Sequence, residues 1–140
     1  MGQVIGIDFG MKRTGLAATD PLGIIAAALE TVPTELVMAW LQRYTIQYHV
    51  DGFVVGLPMG LDGRPTDVTP NVLAFVDALK KTFPGHWVET TDERFSSSIA
   101  QQTLNNSGKG RMAKRDKGQL DRISATVLLQ GWLEQRQRQG

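Results

Sequence analysis

Three carboxylates in this 140-residue chain stand where side chains of their type can do chemistry. Asp8 lies in the apolar run Gln3 to Phe9, on the same side as Val4 and Gly6 by the period of a strand. Its charge is therefore aimed where a sheet normally buries an apolar group. Such a carboxylate needs a partner or a metal ion, or else it accepts backbone hydrogen bonds at the strand end. Asp92-Glu93-Arg94 follows the run Trp87 to Thr90 after Thr91 alone, and sites form outside the carboxyl ends of parallel strands. The acidic pair can instead complement the dipole of a helix starting near Ser96. Asp121 precedes Ala125, Leu128 and Trp132 by four, seven and eleven residues, which puts all four on one helical stripe. An ordinary acid in the first helical turn is the alternative there.

Together Asp8, Glu93 and Asp121 offer only oxygen ligands, and the chain has no cysteine. That donor set suits Mg²⁺ or Mn²⁺, hard ions that keep waters and leave room for phosphate oxygens. Two such ions about 3.5 to 4 Å apart can activate a water and stabilise a leaving oxygen, so the implied reaction is phosphodiester hydrolysis. A polyanionic substrate needs cations beside these acids. Lys109, Arg111, Lys114, Arg115 and Lys117 fall within nine residues just before the helix of Asp121. They can clamp a phosphate backbone or simply be a solvated loop. Lys12 and Arg13, in the turn after Asp8, can reach the same mouth. His49 and His86 follow no metal or triad spacing and read as surface or packing residues.

These side chains must be positioned by a compact set of elements. Gln3 to Phe9, Thr14 to Thr19 and Ile24 to Leu29 read as an antiparallel three-stranded meander broken by Gly10–Arg13 and by Asp20-Pro21-Leu22-Gly23. Leu36, Val37, Trp40, Leu41 and Tyr44 recur at helical spacing, with Thr34 placed to cap the start and the helix running to about Tyr48. Phe53 to Leu57 is a fully apolar strand, Val72, Phe75, Val76 and Leu79 mark a second helix, and Trp87 to Thr90 a fifth strand. Ser96 to about Leu104 reads as a third helix, Asn105 to Lys117 as a basic loop, and Gly118 to about Gln137 as the last helix. The order implies an α/β fold: a five-stranded mixed sheet, meander plus two parallel strands, with helices on both faces.

At this length the expectation is one domain spanning residues 1–140. Residues 1–108 carry seven basic and eleven acidic side chains, whereas 109–140 carry eight and three, an asymmetry that suits a polyanion at one face. The absence of cysteine, of a leader-like start and of a long apolar span points to a cytoplasmic protein that does not enter the membrane.

The segments IGIDFGMKRTGLAATD, VVGLPMGLDG, DERFSSSIA and KGQLDRISATVLL, in this order, resemble the YqgF/RuvX proteins over nearly the whole chain. That family comprises bacterial RNase H-like proteins regarded as Holliday junction resolvases and as pre-16S rRNA nucleases. The resemblance implies an RNase H-like fold, Asp8, Glu93 and Asp121 as the catalytic acids, and Lys12, Arg94 and Lys117 as substrate contacts. Ile99 departs from it, standing where relatives usually have Glu; Phe95 and Ser97 are milder changes. The implied role is maturation of the 5′ end of 16S rRNA, with ribosomal precursor particles as partners, or resolution of branched DNA. The latter calls for a homodimer that brings two sites to one junction; monomer and homodimer both stay open.

Two other classes compete. IGIDFG followed by TGLA resembles the phosphate-binding turn of actin-like ATPases and sugar kinases, but those bind ATP between two domains, and no Walker-type loop is present. A binder without catalysis, acting on nucleic acid or in ribosome assembly, is the third class, and three intact acids argue against it.

Overall fold

The computed structural model describes residues 2–20, 22–57, 68–92 and 117–139, of which 92, 117–123 and 137–139 are described as backbone only. Its elements are β1 (Gln3–Asp8), β2 (Arg13–Thr19), β3 (Ala26–Pro33), a 3₁₀ turn (Thr34–Leu36), α1 (Val37–Gln47), β4 (Val50–Leu57), α2 (Thr69–Thr82), β5 (Trp87–Asp92) and α3 (Lys117–Gln139). The strands form one sheet in the order β3-β2-β1-β4-β5. β1, β2 and β3 pair antiparallel, whereas β1, β4 and β5 run parallel, so the sheet is mixed as expected.

Side-chain alternation divides two cores between the faces of this sheet. Ile5 and Ile7 of β1 join Leu16, Phe53 and Val55 beneath α1 and α2, which contribute Val37, Leu41, Val72, Phe75 and Leu79. On the other face Ala17 and Val54 pack against Ala125, Leu128, Leu129, Trp132 and Leu133 of α3, with Val4 at the margin. The central strand is covered on both sides, which explains its nearly continuous apolar run. Gly6 belongs to the α3 face. A Cβ at that position would lie 2.8 Å from Leu129 Cβ and 3.3 Å from the Ala125 carbonyl oxygen, so the missing side chain lets the helix approach the strand.

Two local expectations are corrected. The third strand runs Ala26–Pro33 instead of Ile24 to Leu29, because Asp20 Oδ1 accepts the N–H groups of Ile24 at 2.7 Å and Ile25 at 2.9 Å and holds both in the turn. Those two isoleucines are 53% and 60% exposed, so their hydrophobicity misleads a strand assignment. Thr34 does not cap α1, which starts at Val37 after Leu36 with no side-chain cap. Its hydroxyl is turned instead toward the β1–β2 turn. The helix expected from Ser96 to Leu104 and most of the basic loop lie outside the described residues; Lys117, expected in that loop, is the first residue of α3.

Candidate active site

Asp8 is the last residue of β1, half-buried, and paired in register with Gly15 of β2. Alternation from Gly6 puts it on the α3 face, as the period-two reading expected. On its other side β4 ends at Leu57, which pairs with Asp92 at the end of β5. The carboxyl ends of the three parallel strands thus share one edge of the sheet, the edge at which open α/β folds build their sites. Glu93 is the next residue in the chain after β5 and, with Arg94, lies outside the described residues.

The direction of α3 follows from its packing. Ala125 and Leu129 meet Gly6 in the middle of β1, whereas Trp132 and Leu133 share a cavity with Gly2, Val4 and Trp87 at the opposite end. The helix therefore runs antiparallel to β1, with its amino end toward Asp8. Asp121 is one turn, about 6 Å, before Ala125 along the axis, and Asp8 is about 7 Å beyond Gly6 along the strand. The backbone of α3 thus carries the Asp121 position toward the edge at which β1 ends in Asp8, and the side chain of Asp121 lies outside the description.

Lys12 and Arg13 are exposed at the β1–β2 turn that follows Asp8. Lys114, Arg115, Arg111 and Lys109 lie outside the described residues, and of Lys117 only the backbone is described. Sequence reading missed Thr34 and Thr14 at this turn: the Thr34 N–H donates to the Lys12 carbonyl at 2.9 Å, and the two hydroxyls lie 2.9 Å apart. Nothing in their spacing signals this, since they are twenty residues apart, Thr14 on β2 and Thr34 just after β3, and meet only because those two strands pair.

Among the described residues no group of three His, Asp or Glu is placed to hold a metal ion. Of the expected donor set, only the Asp8 carboxylate is described. It is a hard oxygen donor that fits Mg²⁺ or Mn²⁺. The histidines behave as expected: exposed His49 pairs with Asp51 at 3.1 Å, and the His86 ring packs beside Phe53 and Phe83. No helix among the described residues is long and apolar enough to cross a membrane.

A central β1 flanked by an antiparallel hairpin and two parallel strands, with helices on both faces, defines an RNase H-like fold. Thermus thermophilus RuvC, solved in complex with a Holliday junction substrate, matches with a TM-score of 0.60 at 16% identity, covering 98% of this chain and 96% of that one. The Fowlpox virus resolvase, solved with Holliday junction DNA, matches with a TM-score of 0.53 at 14% identity, covering 96% and 98%. At such identities the likeness establishes the fold alone. The chain belongs to the family described as "RuvX: Holliday junction resolvase", whose profile matches residues 2–135. It is 40% identical over 134 residues to a protein of Porphyromonas gingivalis named "Putative pre-16S rRNA nuclease", covering 96% of this chain and 97% of the relative. A Parabacteroides distasonis protein of the same name is 42% identical over 139 residues, covering 99% of each.

Proposed function

We propose that this chain, acting as one domain in the cytoplasm, is a divalent-metal-dependent endonuclease that hydrolyses phosphodiester bonds in maturing the 5′ end of pre-16S rRNA. The observation that carries this reading is the half-buried Asp8 at the end of the central strand, in a chain that aligns almost end to end with relatives named for that substrate. Asp8, Glu93 and Asp121 are the groups that would hold Mg²⁺ or Mn²⁺, two ions during catalysis. When bound, such ions supply Lewis acidity to a phosphate and lower the pKa of an attacking water. The residues' own share would be to present the donor oxygens from a strand end, the residue that follows β5 and a helix, so that little reorganisation is needed during reaction. Lys12, Arg13, Arg94, Arg111, Lys114, Arg115 and Lys117 neutralise the phosphates on either side of the cut.

The second reading, resolution of branched DNA, is favoured by the family description and by the match to RuvC bound to a Holliday junction. It demands two sites on one junction and hence a homodimer. Competition separates the two. Labelled precursor rRNA and a four-way DNA junction are offered together to the protein, with its molecular mass measured on the junction. Preferential cleavage at the rRNA 5′ end supports the first reading, and paired symmetric cuts by a dimer on the junction support the second.

A further inference from the structure

The turn that joins Asp8 to Lys12 is held from outside its own hairpin. Thr34, at the junction of β3 and α1, reaches it through backbone and side chain at once. Its N–H donates to the Lys12 carbonyl at 2.9 Å, and its hydroxyl donates to the Gly10 carbonyl at 2.5 Å. The Thr14 hydroxyl lies 2.9 Å from that of Thr34. A hydroxyl has one proton. With Thr34's proton given to Gly10, Thr14 is the donor in the third bond, and Thr14 is fully buried in β2. The turn so tied is tight: a Cβ at Gly10 would lie 2.2 Å from the Arg13 carbonyl oxygen. Yet its tip is open to solvent, with Lys12 and Arg13 exposed. A surface loop usually loses conformational freedom when it binds, which weakens affinity. Here the backbone on both sides of Met11 is already fixed.

We propose that Thr34 is a positioning residue, which holds the Gly10–Arg13 turn in the conformation that presents Lys12 to a nucleic-acid phosphate beside Asp8. The polyanionic ligand rests on the nuclease reading, whereas the holding of the turn does not. The test measures affinity for the four-way junction and for precursor rRNA in EDTA, using wild type, Thr34→Val, Thr34→Ser, Lys12→Ala and Thr34→Val with Lys12→Ala. Thr34→Val weakens binding about fivefold to tenfold, the equivalent of about one hydrogen bond, and Thr34→Ser stays within about twofold. If the effect runs through Lys12, Thr34→Val changes affinity less than about twofold in the Lys12→Ala background. Wild-type affinity in Thr34→Val, or a full loss that persists without Lys12, overturns the proposal. Should Thr34→Val melt below the assay temperature, Thr14→Val provides the same comparison with a smaller loss. Amide exchange at residue 34 separates this idea from the nuclease reading: it speeds up in Thr34→Val and not in Thr34→Ser. Unchanged exchange rejects the positioning role whether or not nucleic acid binds.

Discussion

Asp8 shows how much one residue can disclose. A charge in an apolar run fixed its face by alternation, and the fold puts it at the end of the central strand on that face. Asp20 acts differently. Its carboxylate takes the N–H groups of Ile25 and Ile24, which hold its pKa below the ordinary value, and the side chain is otherwise solvated. The unfolded chain binds that proton more readily, so the stabilisation is present above the ordinary carboxylate range and disappears as pH falls through the folded value. Melting of Asp20→Ala against wild type from pH 7 to pH 2 should therefore show a gap that closes in acid; a gap independent of pH contradicts the assignment. Thr34 was not legible in this way. Following Pro33 and preceding a helical pattern, it has the local signature of a cap, and only sheet pairing reveals its bonds across to the Gly10 turn.

At the scale of elements, β1, β2, β4, α1, α2 and α3 were readable because their apolar spacing matches the surfaces they bury. β3 was misplaced because side chain to backbone bonds at Asp20 competed with strand pairing, a contest hydropathy does not register. The element that matters most to the site is α3, since its path along β1 carries the Asp121 position toward Asp8. Its seating can be tested at two buried contacts. Leu129→Ala removes a fully buried side chain and should cost about 2–5 kcal/mol in denaturant unfolding. Gly6→Ala inserts a methyl group against Leu129 and should cost about 1–3 kcal/mol. Near-zero changes in both would mean that α3 does not pack on β1 as described.

Over the whole molecule, the order of four spaced motifs specified the family where any one alone would not, and the full-length match to the RuvX profile agrees. The site is named in the sequence as a list of residues more than as a geometry: Glu93 and the basic run from Lys109 fall in stretches without apolar periodicity, which gives them no position, and Glu93 and residues 109–116 lie outside the described residues. A polyanion partner makes a further prediction at this scale. The logarithm of the binding constant for nucleic acid should fall linearly with the logarithm of salt concentration, and Lys12→Ala should reduce that slope by about one. A slope unchanged in the variant would remove Lys12 from the phosphate contacts.

Cleavage of labelled precursor rRNA in Mg²⁺ or Mn²⁺, against EDTA and against Asp8→Asn and Asp121→Asn, tests the nuclease assignment most directly. Cutting by wild type only with metal, restored when metal is added back after EDTA and reduced at least about 10³-fold (~4 kcal/mol) in both variants, is the predicted result. Cutting that persists in EDTA, or that both variants retain, would contradict catalysis by metal ions held on these acids.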